Sequence, residues 1–361
     1  MKPVLIAVML AVSVPAVAAP YSNIFVFGDS LSDRGNLAET GFLQKSAGLP
    51  VTNYPNPPSN HDSFTNGPVA VQVMANLLGL QANASLFPTG GKDIYGLGLP
   101  GGTNFAVAGA TAGNSFGQGV PGLNLATQLG AFLTGTGGTS PASALYTVFI
   151  GGNDVRNAAR NGDAKYVTDG ITAETAALQA LIASGAKNLL VVNVPDVGLI
   201  PEFTQYSPKG QAAAATGFSQ SYNAQLAPVV AGLASANPAD NIKLFDLYSF
   251  NNNTVANASS LGITNTTDPC YISYGGVTDS APLMINPACG PIDLATNQAA
   301  NIGQFLYWDK IHPTVRVHAA FGQALYAFEV QGLATNVPEP ASLAVLSAGM
   351  LGLALARRRA A

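Results

Sequence analysis

Four short apolar runs, widely spaced along the chain, constrain the fold more than any other feature. Ile24 to Phe27 ends in Gly-Asp-Ser, Leu145 to Ile150 ends at Gly151-Gly152, Asn188 to Val194 ends at Pro195, and the fourth is Ile242 to Leu247. Runs of this length, rich in β-branched and aromatic residues and stopped by turn formers, read as buried strands. Thr172 to Ser184, rich in Ala and Leu and stopped by Gly185, reads as a helix before the third run. Ser219 to Ala234 stands in the same relation to the fourth. Strands alternating with helices predict an α/β fold with a parallel, doubly wound sheet flanked by helices. Such sheets place their chemistry in the loops at the strands' carboxyl ends. With 361 residues and no internal repeat, one domain is the simplest organisation.

The ends read as addresses. Lys2, an apolar stretch from Val4 to Val14, and Ala16-Val17-Ala18 form a secretory signal over residues 1–18, so the mature chain is expected to begin near Ala19. Val337-Pro338-Glu339-Pro340 precedes an apolar run from Ala341 to Ala356 and then Arg357-Arg358-Arg359. As a helix that run spans roughly 24 Å, slightly short of the hydrocarbon core, with the arginines on the cytoplasmic side. Residues 337–361 resemble the PEP-CTERM sorting signal of Gram-negative bacteria that export polysaccharide. The resemblance implies transient anchoring in the inner membrane through this helix, cleavage by an exosortase, and a final place on the outer surface or outside the cell. The alternative is a permanent single-span anchor.

Setting aside Lys2, the terminal arginines and Glu339 leaves 11 basic against 18 acidic side chains. So acidic a body lacks a phosphate-neutralising surface, which argues against nucleic acid as a partner. Cys270 and Cys289 lie in a Gly/Pro/Asn-rich stretch, and in an oxidising compartment a disulfide between them is expected; two free buried thiols are the alternative. Three histidines in no ligand-like spacing with carboxylates indicate no metal, and no cofactor is implied.

Two motifs are set aside for lack of context. Gly96-Leu97-Gly98-Leu99-Pro100-Gly101 has dinucleotide-binding spacing, but Pro100 and a further glycine follow where a helix must begin, and Thr103-Asn104-Phe105 reads as extended. Gly113-Asn114-Ser115-Phe116-Gly117 fits a nucleophile elbow, but the glycines and proline after Ser115 prevent the helix that an elbow requires. Ser115 remains the internal rival.

The chemistry lies in four ordered blocks. They are Phe27-Gly28-Asp29-Ser30-Leu31, Asn104-Phe105-Ala106-Val107-Ala108-Gly109-Ala110, Phe149-Ile150-Gly151-Gly152-Asn153-Asp154, and Trp308-Asp309-Lys310-Ile311-His312-Pro313. Thr65-Asn66-Gly67-Pro68, Asn193-Val194-Pro195-Asp196 and Tyr222-Asn223 are smaller echoes. Together they resemble the SGNH, or GDSL, family of serine esterases and lipases over residues 24 to about 325. The resemblance implies a flavodoxin-like sheet in a domain over residues 19–336.

Each position also has a physical reason. Ser30, on a turn after a buried strand, offers a hydroxyl that needs a base to become nucleophilic. His312 is the plausible base, because His61 lies in a polar loop with no nearby orienting carboxylate motif. Asp309, three residues before His312, is placed to hold the imidazole's tautomer, and both belong on a loop before a helix over Val315 to Val330. By the family pattern the oxyanion donors are the backbone N–H groups of Ser30 and Gly109 and the side-chain amide of Asn153. Ala108 stands where a second glycine is common. Asp29 and Asp33 are expected to brace the turn, and His318 to be a solvated helix residue.

These readings predict an exported serine esterase or lipase that hydrolyses carboxylic esters through an acyl-enzyme. Small-molecule or lipid esters and acetylated polysaccharide all fit as substrates. The competing reading is a non-catalytic surface protein that binds polysaccharide on an esterase-like fold.

Overall fold

Strands covered on both faces need no polar alternation, and the four apolar runs form such a layer. A computed structural model describes residues 20–37, 63–85, 102–113, 124–273, 283–293, 295–296 and 298–330. Residues 1–18, His61, Gly96 to Gly101, Ser115 and the tail 337–361 lie outside the described residues.

In chain order the first half contains β1 (Ile24–Gly28), α1 (Ala70–Leu77), α2 (Leu125–Gly135), β2 (Leu145–Phe149), α3 (Gly152–Asn161) and α4 (Lys165–Ala183). Then follow β3 (Asn188–Val192), α5 (Pro201–Gln205), α6 (Gln211–Ala236), β4 (Asn241–Phe245) and α7 (Leu247–Ala256). Short strands β5 (Asn265–Pro269), β6 (Tyr271–Ser273), β7 (Met284–Ile285) and β8 (Phe305–Tyr307) precede the last helix, α8 (Val315–Val330).

Strands β1 to β4 lie side by side and parallel, with Ile24, Leu145, Asn188 and Asn241 in one row. The other edge of β1 is occupied too. Val26 N–H donates to Thr103 O (3.0 Å), and Phe105 and Val107 N–H donate to Val26 O (2.7 Å) and Gly28 O (3.1 Å). Thr103-Asn104-Phe105 is therefore a strand-like partner of β1, parallel to it. Counting it, the sheet runs second, first, third, fourth, fifth along the chain, the order of a flavodoxin-like doubly wound sheet. The winding reverses between β1 and β2.

The pleat sorts the core. Phe25, Phe27, Tyr146, Val148, Leu189 and Val191 face a layer that includes α2, α3, α4 and α6. Ile24, Val26, Leu145, Leu190 and Val192 face α1 and α8. Helix α4 starts before the expected Thr172 because Val167 and Ile171 continue the buried stripe of Leu178 and Leu181. Helix α6 likewise begins at Gln211, with Ala215, Ser219, Tyr222, Leu226 and Val230 buried at helical spacing. Among the described residues no helix is long and apolar enough to cross a membrane.

A satellite core gathers Cys270, Tyr271, Cys289, Phe305 and Trp308. Within it Cys270 and Cys289 are joined as a disulfide, with Cα atoms 5.4 Å apart. His318 corrects an expectation. It is 1% exposed, not solvated, because α8 packs on α1 and turns that face inward. Its Nδ1 accepts the N–H of Ala70, one of the first-turn donors that a helix leaves unpaired.

Candidate active site

The turn after β1 is built to be rigid. Leu31 N–H donates to Asp29 Oδ1 (3.0 Å), while Ser32 and Asp33 N–H donate to Asp29 O. The Asp33 carboxylate collects N–H groups from Gly35, Asn36, Leu37 and Ala108. Asn36 donates to Asn104 O and Ala106 O, and Asn104 donates to Ser32 O. Both aspartates thus brace the turn, and the block around Asn104 is its second support. Burial pushes Asp29 and Asp33 up to about 6, even with these donors.

Ser30 sits on this turn, 7% exposed, at the point where the winding of the sheet reverses. Its Oγ lies 2.7 Å from His312 Nε2, although 282 residues separate them. His312 Nδ1 lies 2.7 Å from Asp309 Oδ2, and Asp309 Oδ1 accepts the N–H groups of Ile311 (2.7 Å) and His312 (2.5 Å). A proton on Nδ1, facing the carboxylate, leaves the Nε2 lone pair toward the serine hydroxyl. One carboxylate therefore shapes the loop and orients the ring.

That loop runs from β8 to α8 and is held from several sides. Trp308 N–H donates to His312 O, Thr65 Oγ1 donates to Pro313 O, and Asn66 Oδ1 accepts from Val315 N–H. The Phe64 ring lies 5.0 Å from the imidazole. Through Trp308, the disulfide-bearing core backs the loop.

Asn153 approaches from the other side of the cleft. Gly151 begins α3 with φ of 103°, and a Cβ there would lie 2.5 Å from the Tyr222 ring, so only glycine fits. Asn153 is therefore on the first turn of a helix. One of its two amide hydrogens goes to Ala110 O (2.9 Å), and its Oδ1 accepts from Arg156 Nη1 (2.7 Å). Glu202 in turn holds Arg156 and Arg160. Ser30, Asn153, Arg156 and His312 line one cavity. Gly109, at φ of 79°, directly precedes Ala110 but is not among that cavity's lining residues.

A buried acidic group behind this wall was not legible as a site. Asp154 accepts from Ala112 and Gly113 N–H, and Glu174 accepts from the Tyr222 hydroxyl at 2.6 Å. The signal was there for Glu174, which interrupts the apolar stripe of α4. Burial pushes Asp154 up to about 7 and Glu174 up to about 8. A carboxyl whose folded pKa exceeds its unfolded value binds more protons in the native state, so stability falls as pH rises through that window. His318, pushed down to about 3 by burial, acts in the opposite sense below about pH 6.5. The expected result is a melting temperature that drops between pH 6.5 and 8.5. Glu174→Gln, which keeps an acceptor for Tyr222, should gain on the order of 2 kcal/mol at the upper end. A flat wild-type profile across that range would count against a buried ionising pair.

Comparison with known proteins agrees with the geometry. The sequence model of the GDSL-like lipase/acylhydrolase family matches residues 24–325, and that of the PEP-CTERM protein-sorting motif matches residues 336–359. The chain is similar to Lipase 1 of Photorhabdus luminescens, 31% identical over 55% of this chain but only 26% of that protein. It is 26% identical to a phosphatidylcholine-sterol acyltransferase of Aeromonas hydrophila, covering 85% of this chain and 90% of the relative. A GDSL esterase/lipase of Arabidopsis thaliana is 25% identical, covering 89% and 91%. The sorting motif marks export in Gram-negative bacteria. With the family model spanning nearly the whole described sheet and both sides of the cleft, the chain belongs to the GDSL-like lipase/acylhydrolase family of ester hydrolases.

Proposed function

We propose that this protein is an exported serine esterase working through an acyl-enzyme, with Ser30 as nucleophile, His312 as base and Asp309 as the group that orients it. The observation carrying this reading is the unbroken row from Ser30 Oγ through His312 to Asp309, with both side-chain distances at 2.7 Å. Ser30 Oγ attacks the ester carbonyl while His312 Nε2 takes its proton. The carbonyl oxygen becomes an oxyanion facing the N–H groups of Ser30 and Gly109 and the second amide hydrogen of Asn153. As the C–O bond to the alcohol breaks, the imidazolium returns the proton to the departing oxygen. Water then attacks the acyl-Ser30 carbonyl with His312 again as base, releasing the acid and the free serine.

Residues 1–18 are removed as a signal, residues 19–336 form the hydrolase domain, and residues 337–361 pass to an exosortase. Membrane attachment through that tail is transient in this reading. The oxyanion assignment is tested by Asn153→Ala. Its kcat on p-nitrophenyl butyrate should fall by about 10²–10³-fold with KM little changed. A loss confined to KM would assign Asn153 to substrate binding instead.

A further inference from the structure

The Asn153 amide needs partners to hold its orientation, because a side-chain amide turns about its last bond with little preference of its own. Ala110 O takes one hydrogen of Nδ2, and the second partner is a cation. Asn153 and Arg156 stand three residues apart on α3, hence on one face of it, and both line the catalytic cavity. Arg156 Nη1 donates to Asn153 Oδ1 at 2.7 Å, within the range of charge-assisted hydrogen bonds. Among the described residues Arg156 is the one lysine or arginine on that cavity, whose wall also holds Asp29.

The guanidinium is itself aimed. Glu202 Oε2 accepts from Nε (3.0 Å) and from Nη2 (2.8 Å), which fixes the plane of the group and turns Nη1 toward Asn153. Glu202 Oε1 is held by Arg160. The side chains of Arg156 and Glu202 are 13% and 11% exposed, so the pair is screened far less than one on the surface. Glu202 N–H donates to Lys310 O, between Asp309 and Ile311. The residue that aims the guanidinium is thereby fastened to the loop that carries the base.

We propose that Arg156 is a positioning residue of the oxyanion hole, holding the Asn153 amide with its second N–H toward the cleft and polarising that N–H through Oδ1. The inference rests on the serine-esterase reading above, with Asn153 as an oxyanion donor. Turning the amide over would set Nδ2 against the guanidinium and Oδ1 against Ala110 O, two contacts of like sign. Drawing electron density toward Oδ1 strengthens the donor at the opposite end of the amide, as along a chain of hydrogen bonds. The gain is largest when the carbonyl oxygen carries its negative charge, so it belongs to the rate rather than to substrate binding. A salt bridge between two helices accounts for the contacts to Glu202 but not for the third nitrogen on Asn153.

The test uses the full chain with p-nitrophenyl butyrate and with butylboronic acid, which forms a tetrahedral anion on an activated serine. Arg156→Met should lower kcat about tenfold and weaken boronate binding by a similar factor, with KM changed less than about twofold. Glu202 stays paired with Arg160 in this variant, so its charge is not orphaned and the fold should hold. Should it fail to fold, Arg156→Gln carries the same comparison, with the loss again in kcat and boronate affinity. In an Asn153→Ala background, Arg156→Met should add less than about a twofold loss, because its route to the oxyanion is gone. A rise in KM at unchanged kcat would make Arg156 a substrate-binding group, and losses that multiply in the double variant would make it a structural one; either overturns the inference. Unchanged kcat in Arg156→Met, with turnover that still requires Ser30, would remove the inference and leave the esterase reading standing. Absence of Ser30-dependent turnover would remove the esterase reading itself.

Discussion

Ser30→Ala is expected to yield a folded protein whose ester turnover is lower by on the order of 10⁴-fold or more. The loss follows because the hydroxyl is the group that bonds to the carbonyl carbon, and no neighbouring side chain replaces it. Among the described residues its side-chain partner is His312, whose ring is still held by Asp309 after the change. The fold should be unaffected for a separate reason. The turn is fastened by the carboxylates of Asp29 and Asp33 and by Asn36 and Asn104, not by the Ser30 side chain. Initial rates on p-nitrophenyl butyrate, with a melting curve for each protein, check both halves. Retained turnover in Ser30→Ala combined with its loss in Ser115→Ala would transfer the nucleophile to the rival serine.

Asp309→Asn should cost almost as much, about 10⁴-fold in kcat, with little change in stability. Asparagine still offers an acceptor to the N–H groups of Ile311 and His312, so the loop keeps its shape. Opposite His312 Nδ1, however, it presents an amide donor in place of a carboxylate oxygen. That favours the tautomer with the proton on Nε2, directed at Ser30, and the base is lost. Asp309→Ala should lose the same activity and also melt earlier, because the two backbone donors lose their acceptor. Equal melting of the two variants would show that the carboxylate has no part in shaping the loop. Near-normal kcat in Asp309→Asn would show that it has no part in setting the tautomer.

What could be read from the chain depended on how local the signal was. Ser30, Asp309 and His312 were legible because each sits in a short block whose neighbours specify a turn. The central strands were legible because burial on both faces leaves continuous apolar runs. Thr103-Asn104-Phe105 was legible as extended but not as the partner on the outer edge of β1, since it carries few apolar residues and its place is defined by hydrogen bonds to β1 and to residues 83–85. His318 was misjudged for the same reason: its burial is set by α1, 248 residues earlier in the chain. The link from Glu202 through Arg156 to Asn153 joins α5 to α3, and spacing along the chain carries no trace of it.

A nucleophilic Ser30 activated by His312 has a direct chemical signature. A fluorophosphonate probe reacts with such a serine, and peptide mass mapping of the labelled full chain locates the adduct. The expected result is one phosphonyl group on the peptide containing Ser30, and labelling that collapses in His312→Ala. An adduct on a different serine, or equal labelling of Ser30 with and without the imidazole, would contradict it.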